Sequence, residues 1–167
     1  MTIQIGERLP EGSLGEFIET ASEGCAIGPN LFKVAEIARG KTIAILGLPG
    51  AFTPTCSAQH LPGFIKLADQ LKTRGVDEIW CVSVNDAFVM GAWGREQGAG
   101  GSVRMMADGS AAFTKALGLD VDLSARGMGT RSMRYSMLVR DGMVERLNID
   151  SAGFDVSSAE KLLAQLG

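Results

Sequence analysis

Cys56 is the residue whose type and position most favour chemistry, because it follows the start of a predicted helix. The apolar run 43–46 predicts a buried strand, which ends in a turn at Pro49-Gly50. Thr53 suits the N-cap, where its hydroxyl accepts a backbone N–H, and Pro54 suits the first helical position. Free N–H groups and the helix dipole favour a thiolate at Cys56 and predict a thiol pKa below about 8.5. The sequence therefore predicts a nucleophilic cysteine.

Other interpretations of Cys56 are weaker. Most free cysteines are small buried hydrophobes, but the Thr-Pro sequence and the helix start favour a functional role. His60 follows four residues later, so the two side chains can share a helix face as a metal site or as a cysteine-histidine dyad. A metal needs further ligands, and Cys25 and Cys81 belong to unrelated elements. A cysteine hydrolase is disfavoured because His60 is the only histidine in the chain and must then act as the base.

Strands and helices alternate around Cys56, as in an α/β protein. The apolar positions after Pro54 recur at three and four residues up to Arg74, and Pro62 is expected to kink this helix. Asp141-Gly142 predicts a tight hairpin turn. The predicted strands are 41–47, 78–84, 103–107, 133–139 and 143–149, and the helices are 54–74, 85–97, 110–117 and 157–166.

The first 40 residues and one later segment give weaker patterns. Segments 3–5 and 14–18 predict an edge hairpin, 31–38 predicts two helical turns, and 118–130 predicts a long loop. This order of elements predicts an α/β, thioredoxin-like fold with N-terminal strand additions, in which helices flank a mixed central sheet. We expect a single domain over 1–167, because the length fits one domain and the pattern shows neither a repeat nor a linker.

Composition excludes several classes of protein. Hydrophobic residues make up 46% and charged residues 21%, which is ordinary for a soluble globular protein. The net charge is -3 and basic residues are scattered, so nothing indicates nucleic acid or a membrane surface as a partner. An odd number of cysteines, three, argues against a disulfide framework. Because the N-terminus also lacks secretory features, the sequence predicts a cytoplasmic protein.

The segment around Cys56 also resembles a known family. PGAFTPTC, residues 49–56, fits the Pro-x-x-x-Thr-x-x-Cys signature of the peroxiredoxins, and its flanks look like the type II, or peroxiredoxin-5, subfamily. Similar segments recur in order at 81–94, 103–108 and 131–142, so the resemblance covers nearly the whole chain. The sequence is identified on these motifs as a member of that family.

The resemblance implies a thiol peroxidase that needs neither metal, haem nor flavin and that serves redox homeostasis and the response to oxidative stress. Cys56 would be the peroxidatic cysteine, which attacks a hydroperoxide and becomes a sulfenic acid. The hydroxyl of Thr53 would hold a peroxide oxygen, and the cation of Arg134 would stabilise both the thiolate and the departing charge. Pro49 would shield the thiolate from water. Arg131 is a secondary candidate.

The resemblance assigns the remaining residues supporting roles. His60 is expected to pack and orient groups near the site rather than to catalyse, and Cys25 matches no catalytic position. Cys81 is expected in a buried strand as a core residue, although plant members have a cysteine there and a redox role stays open. Animal members with two active cysteines carry the second one in the segment 154–159, where this chain has Ser157 and Ser158.

That departure bears on how the enzyme is reduced. Without an internal resolving cysteine, the sulfenate implies glutathione or glutaredoxin as the reductant. The alternative is a two-cysteine cycle that uses Cys81 and thioredoxin. An interaction protein, either a redox sensor or a holdase, in which Cys56 oxidation is only a switch is a second hypothesis. The resemblance also implies a homodimer.

Overall fold

A mixed seven-stranded sheet forms the centre of the computed structural model, which describes residues 1–166. The strands are β1 (Ser13–Ile18), β2 (Gly28–Lys33), β3 (Thr42–Leu48), β4 (Glu78–Ser83), β5 (Arg104–Ala107), β6 (Asp120–Asp122), β7 (Thr130–Ser132), β8 (Arg134–Arg140) and β9 (Met143–Asp150). The strand order in the seven-stranded sheet is β2-β1-β5-β4-β3-β8-β9. Neighbours β3, β4 and β5 are parallel, whereas β8 and β9 continue the sheet antiparallel on one side and β1 and β2 on the other.

Helices cover both faces of the sheet, and each face buries its own apolar cluster. The helices are α1 (Val34–Ile37), α2 (Leu61–Lys66), α3 (Ala68–Thr73), α4 (Ala87–Gln97), α5 (Ala112–Leu117) and α6 (Ala159–Gln165). One cluster joins alternate residues of β3 and β4 to α2, α3, α4 and α6 and includes Cys56 and Cys81. The other cluster joins the intervening strand residues to α1 and α5. This alternation follows from the two-residue period of a strand.

Strand β3 leads directly into the region of Cys56. All seven of its residues are buried, because it lies between β4 and β8 at the middle of the sheet. The chain then forms the active-site loop, residues 49–53, and becomes helical at Pro54. This is the predicted strand, turn and helix start, with Cys56 at the third helical position. The carboxyl end of a parallel strand is where α/β sheets commonly position ligands.

Side-chain caps begin two helices in the second half of the chain, and the hairpin turn predicted there is confirmed. Asp86 accepts the N–H of Val89 at the start of α4, and Ser158 accepts the N–H of Lys161 at the start of α6. Asp141 and Gly142 have φ angles of 47° and 79°, as a primed hairpin turn requires.

The N-terminal predictions are partly wrong. Residues 3–5 form no strand, and β1 pairs instead with β2. Segment 31–38 is not two helical turns, because its first half belongs to β2 and only Val34–Ile37 is helical. The apolar residues of that segment fit both periods, and pairing with β1 supplies hydrogen bonds that a short isolated helix lacks.

Two later predictions also need correction. Segment 118–130 contains part of a small antiparallel pair, β6 with β7, and a 3-10 turn at Ser124–Arg126. The helix predicted over 54–74 is interrupted by a π-helical segment, Cys56–His60, and by a turn at Leu67. Pro62 is the second residue after the π-helical segment, in the first turn of α2. Because proline lacks an N–H and crowds the preceding turn, the irregularity lies just before it rather than at it.

Within residues 1–166, no helix combines the length and the apolar character needed to cross a bilayer. In the same residues, no three His, Cys, Asp or Glu side chains gather into a group that could bind a metal ion.

Candidate active site

Cys56 lies in the first turn of a helix that widens as it leaves the active-site loop. The N–H of Ser57 donates to the carbonyl of Thr53 at 2.9 Å, which is the first α-helical bond. The N–H of Leu61 then donates to the carbonyl of Cys56 itself, five residues back. Such π segments are rare and frequent at functional sites. Cys56 has no exposed surface.

The guanidinium of Arg134 bridges Cys56 and His60. Its Nη2 donates to Cys56 Sγ at 3.3 Å, and its Nη1 donates to His60 Nδ1 at 3.1 Å. Arg134 is the first residue of β8 and is only 8% exposed. A nearly buried cation beside sulfur favours the negative thiolate.

His60 is a neutral imidazole with a defined tautomer. Its Nε2 donates to the carbonyl of Ser157 at 3.0 Å, so Nδ1 is the acceptor that receives Arg134. Burial and the neighbouring cation of Arg134 lower the pKa of His60 to about 3. With its lone pair on Nδ1 already engaged, His60 has no free site from which to act as a base.

Asp150 fixes the segment whose Ser157 carbonyl accepts the hydrogen bond from His60. It ends β9, where its backbone pairs with Arg134, and it precedes the C-terminal loop, residues 151–158. Its carboxylate accepts the backbone N–H groups of Asp155, Val156 and Ser157 and the hydroxyl of Ser157. Burial opposes ionisation, but the bonds from Ser157 and its neighbours hold the pKa of Asp150 below its usual value.

The structure corrects the capping role predicted for Thr53. Its carbonyl accepts the first helical bond as an N-cap does, but its hydroxyl donates to the carbonyl of Gly50 at 2.7 Å. Within residues 1–166 this hydroxyl makes no capping bond to an N–H of the helix. Phe52, just before it, has a φ of 64°, a conformation that costs a non-glycine residue about 1–3 kcal/mol. The active-site loop therefore holds a strained shape.

Arg131 contacts the active-site loop rather than the thiol. Its Nη1 donates to the carbonyl of Pro49 at 3.3 Å, and its Nε donates to the carbonyl of Met128 at 2.9 Å. A Cβ added at Gly50 would lie 2.7 Å from Arg131 Nη1, so the glycine permits this close approach. Arg131 thus connects the loop after β3 to the segment before β7.

Comparison with known proteins gives the family. The family model described as Redoxin matches residues 4–163. Peroxiredoxin-2B of Arabidopsis thaliana is 45% identical over 165 residues, which cover 98% of each protein. This chain belongs to the peroxiredoxin family. It is of the type II group and is a thiol-dependent peroxidase that serves redox homeostasis and the response to oxidative stress.

Solved structures agree with the thioredoxin-like fold. Reduced Prx3 from Vibrio vulnificus in complex with hydrogen peroxide has a TM-score of 0.91 and 48% identity, covering 99% of this chain and 100% of that one. A Burkholderia cenocepacia structure, described provisionally as a thioredoxin reductase, has a TM-score of 0.98 and 59% identity, covering 100% and 99%. A hydroperoxide and a thiol reductant are therefore the partners of this peroxiredoxin.

The two other cysteines of the peroxiredoxin lie in different surroundings. Cys81 is fully buried in β4, between Leu46 of β3 and Met105 of β5. Burial and the nearby Cys56 raise the pKa of the Cys81 thiol well above its usual value. Cys25 is partly exposed in the segment between β1 and β2.

Aromatic side chains complete the surroundings of the site. The ring of Phe154 lies 5.2 Å from that of His60 and 5.9 Å from the guanidinium carbon of Arg134. The buried Trp93 of α4 donates from Nε1 to the hydroxyl of Ser57 at 3.0 Å, and thereby ties α4 to the π-helical segment.

Sequence reasoning missed Asp150, Phe154 and Trp93 as members of this site. Asp150 and Phe154 lie about 95 residues from Cys56 in the chain, and no local pattern connects them to it. One signal was available, because an Asp ahead of a Gly- and Ser-containing segment is typical of a side chain that binds nearby backbone N–H groups.

Proposed function

We propose that this peroxiredoxin reduces hydrogen peroxide and small alkyl hydroperoxides at Cys56. The single observation that carries the proposal is the Arg134 guanidinium 3.3 Å from Cys56 Sγ, at the start of a helix and away from solvent. The hydrogen peroxide complex of the similar Vibrio vulnificus Prx3 supports the choice of substrate.

In this reaction the Cys56 thiolate attacks the terminal oxygen of the hydroperoxide. The S–O bond forms as the O–O bond breaks, and sulfur loses the two electrons that the peroxide gains. The departing oxide takes a proton from solvent and leaves as water or an alcohol. Arg134 supplies the positive charge for the departing oxygen, because its planar fork reaches sulfur with one nitrogen and is held at the other by His60.

The active-site loop supplies the remaining groups. We assign the Thr53 hydroxyl to the peroxide oxygen, for which it would exchange its present acceptor, the nearby Gly50 carbonyl. Pro49 shields the thiolate from water, and Arg131 holds the Pro49 carbonyl and keeps the loop in place. His60 is a positioning residue, because its neutral ring has no free lone pair at neutral pH.

Glutathione with glutaredoxin is the reductant that fits best. The glutathione thiol attacks the sulfenic sulfur, a mixed disulfide forms and water leaves. Glutaredoxin then removes the glutathione by thiol-disulfide exchange. Two features support this route: the segment 154–159 contains no cysteine, and the raised pKa of Cys81 keeps that thiol protonated and poorly nucleophilic.

The proposal also covers the cellular location, the domain organisation and the oligomeric state of the protein. We assign the protein to the cytoplasm, as a single domain over 1–167. We also propose a homodimer that pairs through the face around the active-site loop, where Phe52 has 51% of its surface exposed. The reductase description of the Burkholderia cenocepacia protein is not carried over, because this sequence lacks the Gly-x-Gly-x-x-Gly fingerprint of a Rossmann dinucleotide site.

Intact-mass measurement tests the proposal. One equivalent of hydrogen peroxide with dimedone should give one adduct on Cys56, and glutathione in place of dimedone should give a mixed disulfide. C56S should give neither product and should consume no peroxide, whereas C81S and C25S should behave as the wild type. Peroxidase activity in C56S contradicts the proposal. Loss of two hydrogens without an adduct indicates a Cys56-Cys81 disulfide and thioredoxin as the reductant, and stoichiometric oxidation without turnover indicates a redox sensor.

A further inference from the structure

A continuous series of hydrogen bonds joins Asp150 to the sulfur of Cys56. Asp150 binds the N–H and hydroxyl of Ser157 at 3.0 and 2.6 Å, and the carbonyl of Ser157 accepts His60 Nε2 at 3.0 Å. His60 Nδ1 accepts Arg134 Nη1 at 3.1 Å, and Arg134 Nη2 reaches Cys56 Sγ at 3.3 Å. Every step joins a donor to an acceptor, so the direction of each bond is fixed.

The first step fixes the conformation of Ser157. The two carboxylate oxygens of Asp150 accept three consecutive backbone N–H groups, those of Asp155, Val156 and Ser157. Because the hydroxyl of Ser157 binds the same carboxylate, both its side chain and its amide are held. The carbonyl of Ser157 is thereby directed at the imidazole.

The second step fixes the proton on His60. An acceptor at Nε2 requires the proton there, which leaves the lone pair on Nδ1 facing Arg134. Phe64 and Phe154 flank the ring with centroids 5.7 and 5.2 Å away and limit its rotation. The guanidinium is a rigid plane, so holding Nη1 directs Nη2 to sulfur.

We infer that Asp150 is a positioning residue for peroxide reduction: it orders the C-terminal loop so that Ser157, through His60, directs the guanidinium of Arg134 at Cys56. The inference rests on the proposed role of Cys56 as the peroxide-reactive residue. Asp150 does not touch the sulfur, and its contribution passes through groups that other substitutions can separate. The charged groups that act on His60 are Arg134 of β8, which donates to its Nδ1, and Asp150 at the end of β9.

The chain offers a matched pair of substitutions. D150N keeps the size of the side chain but places an amide donor where backbone N–H groups need an acceptor. D155N removes the same charge from the same loop, at an exposed carboxylate that accepts no hydrogen bond within residues 1–166. D150E keeps the acceptor and provides a conservative rescue.

Three quantities should be measured for each variant: the rate constant of the reduced protein with hydrogen peroxide, the pH profile of Cys56 alkylation by iodoacetamide, and the unfolding transition. In D150N the rate constant should fall about tenfold, because the donor on sulfur is less well held. The midpoint of the alkylation profile should rise, because sulfur loses part of its positive partner. D155N should match the wild type, and D150E should recover most of the rate.

The outcomes separate this inference from the proposed function. A D150N protein that is less stable but keeps the wild-type rate constant and alkylation profile overturns the inference and leaves Cys56 as the peroxidatic residue. Equal losses in D150N and D155N also overturn it, since charge alone then explains the effect. If D150N does not fold, S157A decides, because it removes only the hydroxyl bond to Asp150 and should lower the rate constant in the same direction. Activity in C56S contradicts the proposed function itself.

Discussion

Cys56 and Cys81 are equally buried, yet the structure surrounds them with opposite chemistry. Neither thiol has exposed surface, and both belong to the apolar cluster on one face of the sheet. Cys56 receives a hydrogen bond from Arg134 and lies at a helix start, whereas Cys81 lies within the central sheet and its pKa is raised by burial and by Cys56. Under the proposed function, the difference teaches that the nearby donor and the helix terminus mark the reactive thiol, and that exposure does not.

Removing the guanidinium of Arg134 should erase most of the difference in reactivity between Cys56 and Cys81. We expect R134M to lower the rate constant with hydrogen peroxide by about 100- to 1,000-fold, since a buried donor for the developing charge is lost. R140M is the control, because Arg140 lies at the exposed end of the same strand and pairs with Glu145. Stopped-flow reduction of hydrogen peroxide measures both. A loss below tenfold in R134M would mean that the helix terminus alone activates Cys56.

Changing the loop tests the other side of the Cys56 environment. T53V keeps the shape of the side chain but removes the hydroxyl that donates to the Gly50 carbonyl. We expect a loss of about 10- to 100-fold in the same rate constant, because this is the effect of losing one hydrogen bond to a charged group. T53S retains the hydroxyl and should keep most of the activity. If T53V reacts as fast as T53S, the hydroxyl does not contact the peroxide.

His60 should make the free energy of unfolding of the protein depend on pH. Its pKa is about 3 in the folded protein against an ordinary 6.5, so the unfolded chain binds a proton below pH 6.5 that the folded one does not. His60 should therefore reduce the free energy of unfolding by about 1.4 kcal/mol per pH unit as pH falls from 6.5 towards 5. H60Q, which does not titrate, should lose less stability over that range. Denaturant unfolding at several pH values measures the difference, and parallel curves for both proteins would contradict it.

Shortening the other thiol should affect stability rather than activity. C81A removes a buried sulfur from the centre of the sheet and should lower the free energy of unfolding by about 1 kcal/mol. Peroxide consumption with glutathione and glutaredoxin should stay within about twofold of the wild type. C25A, at a partly exposed position, is the control for both quantities. A large loss of turnover in C81A alone would show that Cys81 takes part in the cycle.

Local patterns predicted much of this arrangement. A fully apolar run gave β3, a Thr-Pro pair gave the helix start at Cys56, and Asp141-Gly142 gave the turn between β8 and β9. These features depend on residues close together in the chain, where backbone sterics and capping decide the outcome. The position of Arg134 came from the family motif alone, since an arginine on a strand is more often solvated.

Other features depend on contacts between distant segments and left no local pattern. Segment 28–33 became β2 because β1 offered an edge, although it contains Pro29 and Asn30. Residues 3–5 do not pair as a strand and make isolated hydrogen bonds instead, such as that from the N–H of Ile3 to the carbonyl of Leu117 at the end of α5. Asp150 and His60 are 90 residues apart in the chain, and the hydrogen bonds that connect them through Ser157 depend on where β9 ends. The π-helical segment reflects crowding by Pro62. The local rule predicted the irregularity at Pro62 itself, which is later in the chain than where it lies.

The bond between Trp93 and Ser57 gives this peroxiredoxin an optical reporter of its own chemistry. Indole emission responds to the polarity and hydrogen bonding of its surroundings, and Ser57 is the neighbour of Cys56 in the chain. The other indole, Trp80, belongs to the opposite apolar cluster and binds Glu78, so its emission should form a steady background. Under the proposed function, oxidation and reduction of Cys56 should therefore change the Trp93 emission in real time, without a label and with W93F as the blank.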